Sequence, residues 1–193
     1  MKDNFKNICN EYSTDKQTYH EFCEFYEEFF KDKKDLNLNI LEIGVNTGAS
    51  ILSLHDYFKN SKIYGMDIDY SRCQKINKER IQLNTLSQID TDAIHSTYRE
   101  IMFDIIIDDG SHIPSHQIAS FEYLFLNKLN NGGIYICEDL HTNLNHLISL
   151  NDNMLFKLLF SNHDLVDKTY LFKNSHYKKN KDISITSVII KGK

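Results

Sequence analysis

Two short segments hold most of the residues able to do acid, base or metal chemistry. Asp108-Asp109-Gly110-Ser111-His112 follows one apolar run, and Glu138-Asp139-Leu140-His141-Thr142 follows another. Carboxylates packed together repel unless a proton or a cation intervenes. An oxygen-rich set suits a hard ion such as Mg²⁺, which keeps several waters and takes only a few carboxylates. No His/Cys set shows the spacing of a zinc site. His112 lies three residues after Asp109 and is placed to act as a general base. A metal that lowers the pKa of a bound hydroxyl, with a histidine to remove its proton, would prepare an alkoxide for attack. The plainer alternative is that Asp and Ser here cap loops and helices, as they often do. His116 either joins this site or faces the surface of the following helix.

A third segment has the pattern of a cofactor loop. Glu42-Ile43-Gly44-Val45-Asn46-Thr47-Gly48 sits between an apolar run and a helical one. Gly44 permits a tight turn and Gly48 a close approach by ligand or backbone. The free N–H groups of the following helix suit a polar or anionic ligand. Asp67 ends the next apolar run, where a carboxylate can grip two ribose hydroxyls. A dinucleotide fingerprint would read G-x-G-x-x-G, but Asn46 stands at the second glycine position. Glu42 would also repel a pyrophosphate. A sulfonium ligand with an ammonium group suits this loop better, so the pattern favours S-adenosylmethionine over NAD. Glu42, Gly44, Asn46, Gly48, Asp67 and Asp108 are the expected cofactor residues.

These segments need a scaffold that brings them together. Helical spacing of Phe22, Phe25, Tyr26, Phe29 and Phe30 predicts a helix over about 18–31. Strands are predicted at 39–44, 62–67, 81–84, 103–108 and 134–137, and late ones at about 166–172 and 184–191. Helices are expected at about 50–58, 70–79, 115–129 and 151–160, with Gly132-Gly133 breaking the third of these. The stretch from Asn174 to Asp182 reads as a hairpin loop. Strands alternating with helices imply a parallel sheet covered on both faces, and continuous apolar strands such as 105–107 fit that burial. The expected fold is therefore α/β: a Rossmann-like, doubly wound, seven-stranded sheet, mostly parallel with a C-terminal antiparallel hairpin. Ligands in such sheets bind outside the carboxyl ends of the strands, where the three segments fall. Residues 1–35 read as an N-terminal helical cap on the substrate side, and residues 36–193 as the core of a single domain.

Composition narrows the function further. The chain has 193 residues and a formal net charge of −5, without the basic patch that phosphate binding needs. The short run Lys178-Lys179-Asn180-Lys181 reads as a solvated loop. No run of about 18 apolar residues exists, so no membrane span is expected, and the first residues lack a signal peptide's apolar stretch. Cys9, Cys23, Cys73 and Cys137 form no CxxC pair, which fits a reduced, cytoplasmic setting. The aromatic helix with Phe22, Phe25 and Phe29 either packs on its own core or joins copies in a homo-oligomer, with its own core preferred.

Together, ILEIGVNTG, YGMDID, IIIDDGSH and GGIYICEDLHT resemble the class I S-adenosylmethionine-dependent methyltransferases. More narrowly, they resemble the metal-dependent sugar O-methyltransferases of the mycinamicin and demethylmacrocin type. Tyr12-Ser13-Thr14-Asp15-Lys16-Gln17-Thr18-Tyr19-His20 is similar to that group's YGTDK…H opening. The likeness spans about residues 10–142. It implies Asp109, Glu138 and Asp139 as Mg²⁺ ligands and His112 as the base. It places Glu42 and Gly44 at the methionine end of the cofactor and Asp67 at the ribose. Ser87-Gln88 stands where the family often has Asp-Gln near the adenine. Lys16, His20 and His141 fall on the substrate side. The implied acceptor is a small molecule, a hydroxyl of a sugar or sugar nucleotide, in surface-glycan or natural-product biosynthesis. The rival acceptors are catechols and other small hydroxylated molecules. A third reading is a non-catalytic accessory protein that binds S-adenosylmethionine.

Overall fold

The computed structural model describes residues 4–140, 163–174 and 184–193. The first helices are α1 (Phe5–Tyr12), α2 (Asp15–Thr18) and α3 (Cys23–Phe30). There follow β1 (Asn39–Ile43), α4 (Ala49–Tyr57), β2 (Lys62–Asp67) and β3 (Ile81–Thr85), then α5 (Thr91–Thr97), β4 (Phe103–Asp108) and α6 (Pro114–Asn127). The last strands are β5 (Leu129–Cys137), β6 (Val166–Asn174) and β7 (Ser184–Lys191). They form one seven-stranded sheet in the order β3-β2-β1-β4-β5-β7-β6. Strands β1 to β5 pair in parallel, and β7 runs antiparallel to both β5 and β6. The expected doubly wound architecture and its antiparallel end are both present.

The sheet is buried on both faces, which explains its unbroken apolar strands. On one face Ile40, Ile63, Ile105, Ile107 and Val188 pack with Phe5, Tyr26, Phe30 and Ile51. On the other, Leu41, Tyr64, Ile106, Tyr135 and Ile189 pack with Phe121, Leu124 and Phe125 of α6. The N-terminal helices thus supply part of one core layer. Phe22 is fully buried. Phe25 stacks on Phe172 of β6 with ring centroids 5.0 Å apart, and Phe29 meets Tyr170. The aromatic stretch serves the chain's own core.

Three local expectations change. The helix predicted from residue 18 begins at Cys23, because Glu21 adopts a left-handed φ of 57° and ends the preceding turn. No helix forms over 70–79. There the Asp69 carboxylate accepts from the backbone N–H and the hydroxyl of Ser71, and the Gln74 N–H donates to the Thr47 carbonyl. Such side-chain bonds to nearby backbone compete with helix. Strand β5 begins at Leu129 rather than 134 and runs through Gly132-Gly133. Helix α5, which the pattern does not predict, is capped by Asp90, whose Oδ1 accepts from Ala93 N at 3.0 Å. The predicted helix at 151–160, His141 and most of the 174–182 loop lie outside the described residues.

Candidate active site

Sheet register brings the three segments together. Ile43 of β1 stands opposite Met66 of β2 and Asp108 of β4, and Asp108 stands opposite Cys137 of β5. The next residue on three of these strands then reaches sideways. Gly44 N donates to Met66 O, Asp109 N to Ile43 O, and Glu138 N to Asp108 O, at 2.9–3.0 Å. Gly44, Asp109 and Glu138 therefore lie in a row at the carboxyl edge, with Asp67 beside Gly44.

This edge forms the floor of a cavity of about 560 Å³. Gly44, Asn46, Asp67, Ser87 and Gln88 line one part of it. Asp109, His112, Glu138, Asp139 and His20 line another. Asp67 Oδ2 accepts from the N–H groups of Val45 (2.8 Å) and Asn46 (3.0 Å), so one carboxylate shapes the glycine loop and still faces the cavity. Gly44 has a φ of 83°, and a Cβ there would stand 2.0 Å from the Asp109 carbonyl oxygen. Asn46, His112 and Asp139 also have positive φ, at 48°, 56° and 54°. Left-handed backbone at non-glycine residues is costly and clusters at functional sites.

His112 Nε2 lies 3.4 Å from Asp139 Oδ2 and 3.8 Å from Asp109 Oδ1. His20 Nδ1 lies 3.7 Å from the other Asp139 oxygen, Oδ1. One donor atom from each of Asp109, His112 and Asp139 falls within 4.8 Å of the others. The two carboxylate oxygens suit Mg²⁺, and the imidazole beside them is left to take a proton. Glu138, expected as a third ligand, stands outside this group and turns its carboxylate to Lys16 at 2.8 Å. Burial pushes the carboxyls of Asp109 and Glu138 above the usual carboxylate range. At Glu138 the nearby Asp109 charge adds to the rise, and at both carboxyls the Lys16 ammonium opposes it without cancelling it.

Several expected site residues serve the frame instead. Glu42 is fully buried, accepts from the Ser50 hydroxyl and does not line the cavity. Asp108 is equally buried, because its strand position points it into the core. It accepts from Ser120 Oγ (2.6 Å), Tyr135 OH (3.1 Å) and Gln88 Nε2 (3.3 Å). Gly48 caps α4 and packs toward Ile76 and Cys73, away from the cavity. Gln88 lines the cavity and also pins the DDGSH loop, its Oε1 accepting from Ser111 N at 2.8 Å. Asp15, Arg72, Ser111 and His116 line the cavity without having been assigned to it, and His116 Nδ1 lies 2.9 Å from Ser111 Oγ. Asp15 and Ser111 had a signal, inside the YSTDK and DDGSH segments, and of the two places left open for His116 the cavity is the one it takes.

No family model matches the chain. A tetracenomycin rhamnosyl 2'-O-methyltransferase from Streptomyces olivaceus is 34% identical over 140 residues, 68% of this chain and 36% of that relative. Mycinamicin VI 2''-O-methyltransferase from Micromonospora griseorubida is 33% identical over 150 residues, 73% of this chain and 37% of that relative. The chain thus spans little more than a third of the length of the curated relatives it matches. The mycinamycin-pathway methyltransferase MycE, solved with Mg, SAH and mycinamycin VI, is 25% identical with a TM-score of 0.77. That match covers 98% of this chain and 55% of the solved one. In sequence and in fold, the chain is a homologue of sugar O-methyltransferases, built on the class I methyltransferase fold.

Proposed function

We propose that this chain binds S-adenosylmethionine and a divalent cation, and methylates a hydroxyl of a sugar-bearing small molecule. One observation carries the reading: a single cavity holds the Asp67-clamped glycine loop and, across from it, His112 between Asp109 and Asp139. The named relatives act on sugar hydroxyls, which supports the acceptor class. When bound, S-adenosylmethionine supplies an activated methyl group, and Mg²⁺ lowers the pKa of an alcohol.

The chain's own residues supply alignment, proton removal and charge. Asp67 would meet the ribose hydroxyls of the bound cofactor, and the glycine loop after β1 would face its methionine end. Asp109 and Asp139 would hold the cation. His112 Nε2 accepts the acceptor's hydroxyl proton, and Asp139 stabilises the resulting imidazolium. Asp15, Asp109, Asp139 and Glu138 make the acceptor side acidic, while Arg72 is the one lysine or arginine among the described lining residues. The relative named for a rhamnosyl tetracenomycin acts on a glycoside, which supports a glycoside over a sugar nucleotide as the acceptor.

Calorimetric titration with S-adenosylhomocysteine, with NAD as control, tests the cofactor. Methylation assays on neutral glycosides and sugar nucleotides, with Mg²⁺ or EDTA, test the rest. Binding of S-adenosylhomocysteine alone, and Mg²⁺-dependent turnover of a neutral glycoside, is expected. A folded protein that ignores S-adenosylhomocysteine overturns the reading.

A further inference from the structure

Lys16 is only 1% exposed, yet it sits among acids. Its Nζ pairs with Asp109 Oδ2, lies 2.8 Å from Glu138 Oε1, and lies 3.6 Å from Glu42 Oε1. Those three carboxylates belong to the ends of β4, β5 and β1, so one ammonium ties three strands. The lysine is itself fixed at its backbone: Phe22 N donates to Lys16 O at 2.7 Å, and Lys16 N donates to Asp15 Oδ1 at 3.0 Å. It does not line the cavity, and the methyl transfer proposed above makes no use of it.

We propose that Lys16 is a positioning residue that serves as the resident cation of this acidic cluster. An ammonium is a compact charge with three donors, matching three carboxylate partners that would otherwise repel. By pairing with Glu138 it balances that carboxylate beside Asp109. By holding Asp109 Oδ2 it leaves Oδ1 turned toward His112. The neutralising role stands on the geometry alone. Only the use made of the turned Asp109 rests on the proposed function.

Thermal melting of the full chain, without cofactor or acceptor, tests this. Wild type, Lys16→Met, Glu138→Gln and the double variant are melted in EDTA and in excess Mn²⁺. Lys16→Met is expected to lose several degrees in EDTA. Mn²⁺ should raise its Tm more than that of wild type, because a divalent ion replaces the missing charge. Adding Glu138→Gln should recover half or more of the loss, since the pair is coupled. A lysine that matters only for its packed stem would give equal losses in single and double variants and no extra Mn²⁺ rescue. Either result overturns the proposal, as does a Lys16→Met protein that melts like wild type in EDTA. If Lys16→Met alone does not fold, a folded double variant supports the proposal and an unfolded one overturns it. Binding of S-adenosylhomocysteine, measured separately, reports on the proposed function and not on Lys16.

Discussion

The Cα of Gly44 faces the carbonyl of Asp109 so closely that an added methyl carbon would stand 2.0 Å from that oxygen. The glycine loop after β1 and the acidic loop after β4 are therefore packed backbone to backbone. Gly44→Ala is expected to cost at least about 2 kcal/mol, from the clash and from a left-handed φ closed to alanine. Differential scanning calorimetry should register a fall in Tm of roughly 4–8 °C, with weakened S-adenosylhomocysteine binding beside it.

His112 is flanked by two carboxylates and lines the cavity beside them. His112→Ala should lower kcat by roughly 10²–10⁴-fold, the range for a lost general base. S-adenosylhomocysteine affinity should stay unchanged. Initial rates and titration calorimetry separate the two, and a loss of cofactor binding would mark His112 as a cofactor contact.

Asp108 belongs to the frame. It accepts hydrogen bonds from Ser120, Tyr135 and Gln88 in the core, so Asp108→Ala removes the acceptor that these three side chains share with the Gly110 N–H. Urea unfolding should show a loss of about 3 kcal/mol or more. Protein that remains folded should still bind S-adenosylhomocysteine.

Alkaline stability has a definite sign. Burial pushes the Tyr98 phenol from 10 up to about 12. The folded state therefore holds this proton more tightly than the unfolded chain. The resulting stability is fully present below pH 10 and is lost as pH rises through about 12, a contribution of roughly 2–3 kcal/mol. Unfolding free energy measured from pH 9 to 12 should fall, and Tyr98→Phe should make the fall shallower.

Much of this was legible in the sequence where a pattern had one physical cause. The strands of the parallel sheet show as apolar runs because both their faces are covered. Asp67, Asp109, His112 and Asp139 are legible because they follow those runs. Asp108 misleads because alternation along β4 turns it inward, one residue before the edge; composition does not reveal which of two adjacent aspartates faces the cavity. Glu42 misleads for a similar reason. Helix α5 is hidden because Ile94 is its one buried residue, leaving no apolar stripe. The 70–79 stretch reads as helix because nothing in its composition announces the Asp69–Ser71 turn.

The pairing of Lys16 with acids from β1, β4 and β5 has a consequence for protein engineering. The strand-end loops look like a portable unit, but their counter-charge is encoded far upstream in a four-residue helix. A graft of those loops onto another parallel sheet would import the negative charges without the ammonium that balances them. Such a graft would gather protons or stray metal until α2 travelled with it.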